Sequence, residues 1–485
     1  MTAPQPDAAT SPSPRKRRIR ELADRLAPER DRWVERNRYY YETDERYMRF
    51  LVGPGQRVVD LGCGTGRLLA ALRPSRGVGI DFSTAMIDRA REQHPELEFH
   101  VGDVEDPSVL DHLDGPFDVI LLSDTVGSLE DCQATFQNLH RLCTPDTRVV
   151  VTYFSHLWGP ALRAAQQVGE QMPQVEQNWL STKELSTILT LADFEVISHD
   201  SRQVLPKRLL GLGPALNRFV GTLPGMASAA LRTYVVARPG PAAVSPKPSA
   251  TVLIPCRNEA GNVAPAVERI PRFCDDIEIL FVEGHSRDNT LEEIERVIEK
   301  HPELDVKLVR QDGKGKADAV WKGFDVARGD VLMILDGDLT TPPEDLPKFY
   351  EAITSGKGEL VMGTRLVYPM EQDAMRFLNM LGNKVFSLLF TWLLNQRITD
   401  TLCGTKVLTR ADYEQIKRGR SYFGDFDPFG DFDLIFGAAK LNLKILEIPV
   451  RYRARTYGST QISRFRHGWL LLKMVVVAFR KLKAV

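Results

Sequence analysis

The chain has 485 residues, more than one hydrophobic core usually holds, so we expect two or three domains. Hydrophobic residues make up 43% and charged residues 26%, as in ordinary globular proteins. The 63 basic and 64 acidic residues give a formal net charge of -1. No overall positive field recruits nucleic acid, which is therefore not an expected partner.

The six cysteines and the first 20 residues indicate where the protein works. The cysteines lie far apart, without a CxxC pair or a histidine at zinc-ligand spacing, which predicts reduced thiols in a cytoplasmic protein. Residues 1–20 are rich in Pro, Ala and Ser and end in a basic run, which predicts a disordered tail. No apolar core follows the basic run, so the pattern does not indicate a secretory signal.

Short apolar runs alternate with helical patterns along both halves of the chain, which predicts parallel α/β sheets. After helical residues 21–51, the first half contains seven predicted strands: 57–61, 77–81, 97–101, 117–122, 147–153, 194–198 and 231–237. The second half contains five: 250–255, 277–282, 306–310, 331–335 and 359–363.

Residues 239–249 contain four prolines and no periodic pattern, so they are predicted to be a linker. It separates a first domain at 21–238 from a second at 250–466. Residues 467–485 mix apolar and basic side chains, as in an interfacial helix. Peripheral contact with a membrane surface is therefore an expectation, and packing of this helix on the second domain is the alternative.

A glycine-rich turn follows the first predicted strand, in the sequence Asp60-Leu-Gly-Cys-Gly-Thr-Gly66. Glycines let the backbone approach a ligand, and the following helix offers free N–H groups, although this spacing alone is weak evidence. Asp81 ends the second strand, where a carboxylate can accept ribose hydroxyls. Asp103, which follows the third strand, is placed to accept an adenine amino group beside Val104. Together these residues outline an adenosine pocket.

This half resembles the class I S-adenosylmethionine-dependent methyltransferases, whose first motif matches Asp-Leu-Gly-Cys-Gly-Thr-Gly. The resemblance implies a Rossmann-like domain with a seven-stranded sheet and S-adenosylmethionine as cofactor. The cofactor contacts it implies are Asp60, Gly62, Gly64, Gly66, Asp81, Met86, Asp103 and Val104.

The resemblance does not name a methyl acceptor. Asp124, Tyr153 and His156 lie near predicted strand ends, and each either orients an acceptor or has a structural role. Residues 206–229 mix basic and apolar side chains, as in a lid or a surface for lipid. A non-catalytic domain that binds its nucleotide only to regulate the other half is a further alternative.

Asp336-Gly337-Asp338 closes the apolar run 331–335. Two carboxylates one residue apart at a strand end can bind a single divalent cation, which would in turn bind a diphosphate. A solvated Asp-Gly turn is the alternative for the tripeptide alone. Polar groups also follow the earlier strands of this half, at Asn258 and at Glu283, so the sequence favours a nucleotide site with a metal.

Residues 251–463 resemble the family-2, GT-A fold glycosyltransferases of the dolichol-phosphate mannosyltransferase-like branch. The resemblance implies inverting sugar transfer from a UDP- or GDP-linked donor to a lipid-phosphate or glycolipid acceptor. It places Pro255, Asn258, Glu259, Glu283, Lys316 and Asp336 on the nucleotide sugar, Asp336 and Asp338 on Mg²⁺ or Mn²⁺, and Arg376 and Arg455 on the acceptor phosphate. The implied catalytic residues are Asp336, Asp338, Arg365, Asp433 and Arg455.

Two dipeptides depart from the pattern of that family. Glu283-Gly284 stands where two aspartates are usual, and Thr460-Gln461 replaces a Ser-Lys pair, which removes one expected cation. Arg464 or Arg466 is a candidate replacement for that cation. The acceptor also stays open, because a phosphate can attack unaided whereas a sugar hydroxyl needs a carboxylate. The candidate carboxylates are Asp425, Asp427, Asp431 and Asp433, of which Asp433 is nearest the family's acidic position.

A different class also fits the acidic motif. Asp336-Gly-Asp338-Leu-Thr340 follows the DxDxT pattern of haloacid-dehalogenase-like phosphatases, in which the first aspartate is a nucleophile. That motif normally follows the first strand of its domain, whereas here it follows the fourth. The phosphatase is therefore the remote alternative.

Overall fold

A computed structural model describes residues 13–175, 177–244, 246–368, 377–424, 427, 430, 432–453, 455, 457–458 and 464–485. The chain separates into two compact units between Gly240 and Pro241, within the segment that the sequence predicts to be a linker. The prediction of an α/β fold with two domains is confirmed, and each domain is described by itself.

The first domain contains one seven-stranded sheet with the order β3-β2-β1-β4-β5-β7-β6. Six strands run parallel, and β7 runs antiparallel to β5 and β6. The sheet is therefore mixed, whereas the sequence predicted a parallel sheet. The strands are β1 (Arg57–Leu61), β2 (Arg76–Asp81), β3 (Glu98–Val101), β4 (Val119–Ser123), β5 (Arg148–Phe154), β6 (Phe194–Arg202) and β7 (Arg232–Pro239).

Helices cover both faces of this sheet, and its central strands are mostly apolar because both faces are buried. The helices are α1 (Pro14–Leu26), α2 (Arg30–Arg36), α3 (Arg38–Val52), α4 (Arg67–Leu72), α5 (Thr84–Gln93), α6 (Pro107–Asp111), α7 (Cys132–Leu139), α8 (Gly159–Gln167), α9 (Thr182–Leu191) and α10 (Leu212–Ala215).

Helix α1 overlaps the predicted disordered tail and contradicts that prediction from residue 14 onward. The Ser13 side chain accepts a hydrogen bond from the backbone N–H of Lys16 at 3.1 Å, and Pro14 occupies the first helical position. Arg15 donates to the carbonyl oxygens of Gly127 at 2.9 Å and Leu129 at 3.0 Å. The basic run is therefore ordered because its side chains find partners far along the chain.

The second domain also has a seven-stranded sheet, with the order β10-β9-β8-β11-β13-β12-β14. Strand β13 runs antiparallel to β11 and β12, and the other pairs are parallel. The strands are β8 (Ala250–Cys256), β9 (Ile277–Glu283), β10 (Asp305–Arg310), β11 (Val331–Ile334), β12 (Leu360–Thr364), β13 (Lys406–Thr409) and β14 (Ile445–Pro449). The sequence did not predict β13 or β14.

The helices of this domain are α11 (Ala260–Arg269), α12 (Thr290–Lys300), α13 (Lys316–Val326), α14 (Leu346–Thr354), α15 (Phe377–Leu394), α16 (Arg410–Gly419), α17 (Phe432–Lys440) and α18 (Arg464–Ala478). Helix α18 begins three residues before the predicted terminal helix and buries Leu471 and Met474, while Trp469 and Leu472 stay exposed. Within the described part of the chain, no helix is both long and apolar enough to cross a membrane.

Candidate functional sites

A cavity of about 420 Å³ lies in the first domain at the carboxyl ends of β1, β2 and β4. Parallel α/β sheets bind ligands at this edge. Seven of the eight residues expected to contact the cofactor line the cavity: Asp60, Gly62, Gly64, Asp81, Met86, Asp103 and Val104.

Gly66, the eighth residue, does not line the cavity. Its φ of 72° is in the left-handed region, and a Cβ there would lie 2.5 Å from the ring of Phe99. Gly66 is therefore needed for the turn and for packing against β3. Gly64 differs, because a Cβ there would meet nothing within 4 Å, which leaves open space beside the backbone that lines the cavity.

Asp60 and Asp81 form a buried acidic pair, and among the described residues neither carboxylate has an ion-pair partner, although the charge of Arg30 acts on Asp81. Asp60 is 1% exposed, and its Oδ1 atom is buried without a hydrogen bond. Burial, with the charge of Asp81, raises the pKa of Asp60 to about 7. Burial also raises the pKa of Asp81, although its oxygens accept backbone N–H bonds from Ser83 and Gly64, both at 2.9 Å. A cationic ligand would relieve this repulsion.

Asp103 forms an ion pair that the sequence did not predict. The Nζ atom of Lys16 on α1 contacts Asp103 and also lies 2.8 Å from Glu105. Lys16, Ile19 and other residues of α1 line the cavity, so this helix forms one of its walls. The signal for this helix was present in the sequence as a capping Ser followed by Pro and by apolar residues at helical spacing.

Asp124 is the acceptor-site candidate that lines the cavity, whereas Tyr153 and His156 do not. Its φ of 61° is unusual for a non-glycine residue, and its carboxylate contacts the guanidinium of Arg232. Arg232 is 1% exposed and also donates to Asp44 at 3.0 Å. Burial raises the pKa of Asp124 despite the charge of Arg232. Sequence reasoning missed Arg232 and Asp44.

In the second domain, the predicted acidic pair follows β11, and each carboxylate contacts a cation. The Nζ atom of Lys316, at the start of α13, lies 2.7 Å from Asp336. The Nη2 atom of Arg455 lies 2.6 Å from Asp338. Burial would raise the pKa of Asp336, but Lys316, with the charges of Lys406 and Arg365, outweighs that effect and lowers it.

Two glycines leave room for this arrangement. A Cβ at Gly404, just before β13, would lie 2.0 Å from Oδ2 of Asp336. A Cβ at Gly337 would lie 2.9 Å from the carbonyl oxygen of Pro255 at the end of β8. The carboxylate of Asp336 therefore packs directly against backbone, and the predicted Pro255 adjoins the acidic turn.

Arg455 joins a second group of predicted residues to the acidic turn. It lies 3.1 Å from Glu259, whose pKa is raised by burial. Tyr457 packs against Gly261 at the start of α11, where a Cβ would lie 2.5 Å from its ring. Arg455 and Tyr457 thus contact the residues that follow β8, and Arg455 also contacts Asp338.

Asn258 and Glu283 hold the loops after β8 and β9 together. The Oδ1 atom of Asn258 accepts a hydrogen bond from the backbone N–H of Arg287 at 2.7 Å. A carboxylate oxygen of Glu283 accepts one from Ser286 at 2.6 Å. Both predicted donor-binding residues thus lie at the carboxyl edge of the sheet, where they fix loop geometry.

Two predicted residues of this site, Arg365 and Asp433, have other surroundings. Arg365 forms a buried bidentate pair with Asp400, at 2.6 and 2.8 Å, which ties it to the protein core. Asp433 pairs with Arg420 at 3.1 Å, and burial with the nearby Asp427 raises its pKa to about 6. Arg376 lies outside the described residues.

The acidic pair fits a hard divalent cation in part. Carboxylate oxygens are the ligands that Mg²⁺ and Mn²⁺ prefer, and Mg²⁺ is usually bound by one or two carboxylates together with substrate phosphates. Across the described ranges there is no group of three or more His, Cys, Asp or Glu side chains that could hold a metal ion. The protein therefore offers Asp336 and Asp338 and leaves further positions to the substrate and water.

Comparison with known families matches both domains. Residues 251–416 match the model described as glycosyl transferase family 2, and residues 15–199 match the model described as methyltransferase domain. The chain joins a methyltransferase domain to a family 2 glycosyltransferase domain. Both resemblances seen in the sequence are thereby confirmed, and the protein is an enzyme.

Curated relatives match the glycosyltransferase half. A low-salt glycan biosynthesis hexosyltransferase, Agl6, of Haloferax volcanii is 25% identical over 241 residues, 47% of this chain and 54% of that protein. A dolichol-phosphate mannosyltransferase of Pyrococcus furiosus is 38% identical over 120 residues, 24% of this chain and 33% of that protein. The chain thus spans about half or less of the length of these relatives.

Solved structures resemble each half. A SAM-dependent methyltransferase from Thermotoga maritima covers 45% of this chain and 99% of its own, with 18% identity and a TM-score of 0.36. A glucosyl-3-phosphoglycerate synthase from Mycobacterium tuberculosis covers 48% of this chain and 80% of its own, with 15% identity and a TM-score of 0.37.

Proposed function

We propose that the second domain transfers a sugar from a nucleoside diphosphate sugar to a polyprenyl-phosphate or glycolipid-type acceptor with the help of Mg²⁺ or Mn²⁺. The observation that carries the proposal is the acidic pair after β11, with Lys316 on Asp336 and Arg455 on Asp338. The Pyrococcus furiosus relative is named for dolichol phosphate, and a Pseudomonas aeruginosa relative, 30% identical over 110 residues, for undecaprenyl phosphate. Both names support a lipid phosphate as acceptor.

The residues present divide the work by charge. Asp336 and Asp338 would hold the divalent cation, which when bound neutralises charge on the departing nucleoside diphosphate. Lys316 and Arg455 offer their N–H groups to the phosphate oxygens of the donor. Since Arg455 also contacts Glu259, it links the turn after β8, which would bind the nucleotide, to the phosphate end of the site.

The need for a general base distinguishes the two candidate acceptors. A phosphate monoester is already mostly ionised near neutral pH, because its second pKa is about 6, so it needs no general base. A sugar hydroxyl would need a carboxylate within reach, and of the candidates that the structure describes, Asp433 is paired with Arg420, while Asp425 and Asp431 lie outside the described residues. This arrangement favours a lipid phosphate over a sugar hydroxyl.

Thermal stabilisation tests this proposal directly. UDP- and GDP-linked sugars are screened with and without Mn²⁺, and the true donor should raise the melting temperature only when the metal is present. The Asp336→Asn/Asp338→Asn variant should lose that shift, whereas Asp312→Asn, at an exposed aspartate of the same domain, should keep it. A metal-independent shift, or hydrolysis of a simple phosphomonoester without a nucleotide sugar, would favour the phosphatase alternative.

For the first domain we propose methyl transfer from S-adenosylmethionine. The supporting observation is the buried pair Asp60 and Asp81 at the cavity, where neither carboxylate has an ion-pair partner among the described residues and burial raises the pKa of both. S-adenosylmethionine carries a sulfonium and an ammonium against one carboxylate, so its net positive charge suits an acidic cavity. Asp124, at the cavity wall and paired with Arg232, is the candidate group to orient the methyl acceptor.

Calorimetry separates a working cofactor site from an inactive one. S-adenosylmethionine should bind the unmodified chain more tightly than S-adenosylhomocysteine, which lacks the sulfonium charge. Asp81→Asn should weaken the binding of both because it removes a ribose acceptor. Equal affinity for the two ligands would contradict the role of charge. Binding without any methyl transfer to candidate acceptors would favour the regulatory alternative.

A further inference from the structure

The segment 206–229, between β6 and β7, presents an apolar surface to solvent. Leu210 is fully exposed, and the exposed fractions of Leu212, Leu209 and Phe219 are 69%, 57% and 53%. Val220, Leu223 and Met226 are exposed by 37–40%. Seven large apolar side chains so close in sequence exceed the scattered exposure that is normal for a soluble domain, and such patches mark interaction surfaces.

The backbone of this segment is held from beneath by polar contacts. The buried side chain of Asn217 donates to the carbonyl oxygen of Leu205 at 2.7 Å and to the Tyr39 hydroxyl at 3.0 Å. Trp158 donates to the carbonyl oxygen of Ala229 at 2.9 Å. The outward direction of the leucines is therefore a property of a braced segment and not of a loose loop.

The tip of the segment is also conformationally costly. Leu209 and Leu210 have φ values of 40° and 53°, in the left-handed region that leucine rarely adopts. Such strain is usually maintained where it serves a function. Here the strained residues are among those that the segment exposes.

The charges of the segment select the partner. Lys207, Arg208 and Arg218 are its charged residues, and no Asp or Glu occurs anywhere in 201–258. Arg208 stays 72% exposed although it lies 3.6 Å from Glu42. Exposed leucines and an aromatic ring flanked by arginines are the combination that binds an anionic lipid surface. A second copy is disfavoured, because an isologous contact would bring the two cationic patches together.

The segment also reaches the cofactor cavity, since Pro206 and Lys207 line its wall. We propose that segment 206–229 docks the methyltransferase domain on an anionic lipid surface, with its leucines among the acyl chains and its arginines at the headgroups. Docking brings this wall of the cavity to the lipid. On the basis of the proposed methyl transfer, we infer that the methyl acceptor is carried by a lipid.

Vesicle co-sedimentation of the full chain tests the docking. Phosphatidylcholine vesicles with phosphatidylglycerol should bind the protein, and Leu210→Asp/Leu212→Asp should weaken binding by at least about tenfold. Arg208→Gln/Arg218→Gln should weaken binding by about tenfold on these vesicles and leave weak binding to pure phosphatidylcholine unchanged. The matched control is Leu191→Asp, which alters a leucine of α9 that is 56% exposed and should leave binding unchanged.

Two further measurements keep the test specific. Each variant is also made in a Trp469→Ser/Leu472→Ser background, so that binding through α18 is counted separately. Full binding by Leu210→Asp/Leu212→Asp in that background would overturn the proposal, as would dimerisation in solution that this variant abolishes. Calorimetry with S-adenosylmethionine on each protein shows whether the cofactor site is intact. If even the unmodified chain fails to bind it, methyl transfer is wrong while lipid docking is judged on the vesicles alone.

Discussion

Both domains gather carboxylates at the carboxyl end of a central parallel strand, but the groups that face these carboxylates differ. Asp60 in the methyltransferase cavity has Asp81 as its charged neighbour, and burial raises its pKa to about 7. Asp336 in the glycosyltransferase site contacts Lys316, and its pKa is lowered. The first site is suited to a cationic ligand, and the second to a metal ion with an anionic one. The two seven-stranded sheets thus place carboxylates in opposite electrostatic environments, and single neighbouring side chains make the difference.

The largest expected effect is on the second site. Asp336→Asn/Asp338→Asn should lower kcat/KM for sugar transfer by about a thousandfold or more, because both proposed ligands of the metal ion are removed. Turnover of the proposed donor with Mn²⁺ measures it. Asp312→Asn, with a carboxylate that is 80% exposed, should retain full turnover. Unchanged turnover in the double variant would remove the contrast between the two sites.

The next effect concerns the buried cation of the first domain. Arg232→Met should destabilise the methyltransferase domain by about 3–5 kcal/mol, because Asp44 and Asp124 lose the partner of their charges. Calorimetric unfolding measures the transition of that domain. Combining Arg232→Met with Asp44→Asn and Asp124→Asn should recover part of the loss. No recovery would mean that packing, and not charge, causes the effect.

The pH dependence of stability tests the charge of the cofactor cavity. Because the pKa of Asp60 is about 7 when folded and near 3.8 when unfolded, the folded state holds more protons between these values. The free energy of unfolding therefore falls as pH rises from about 4 to about 7, by up to about 4 kcal/mol. Asp60→Asn should remove this fall and stabilise the domain at pH 8. Melting temperatures from pH 5 to pH 8 decide the outcome, and parallel curves for the two proteins would contradict it.

The smallest effect distinguishes the two lysines of α13. Lys316→Gln should weaken donor binding by about tenfold, since it removes a charge-assisted contact to the diphosphate. Lys322 lies on the same helix but pairs with the exposed Asp312, so Lys322→Gln should leave donor affinity unchanged. Titration calorimetry with the donor compares them. Equal losses would show a general field effect in place of a specific contact.

Sequence reasoning located the strands best where apolar runs end in a recognisable turn. β1 before the glycine-rich turn was predicted with its observed bounds, and β11 before the acidic turn to within one residue. β13 and β14 were missed because neither short run ends in a glycine-rich or acidic turn that would mark it. The buried Lys406 in β13 donates to the carbonyl oxygen of Cys403, a contact that no local pattern shows.

The site residues divide in the same way. Glu259, Asp338 and Arg455 were predicted separately and are in contact in the structure. The role of Arg365 could not be predicted from the sequence, because its partner Asp400 lies 35 residues away and is fully buried. The distance in sequence between ion-pair partners, more than their residue types, limited the prediction.

The sequence by itself determined the two α/β domains, the glycine-rich turn and the acidic turn, because strand periodicity and turn chemistry are local properties of the chain. Only the tertiary structure decided the charge state of each site. Which carboxylate receives a lysine, an arginine or another acid as neighbour depends on contacts between residues far apart, as for Lys16 with Asp103 or Arg455 with Asp338. Burial raises the pKa of each carboxylate, and a charged neighbour then raises it further or lowers it.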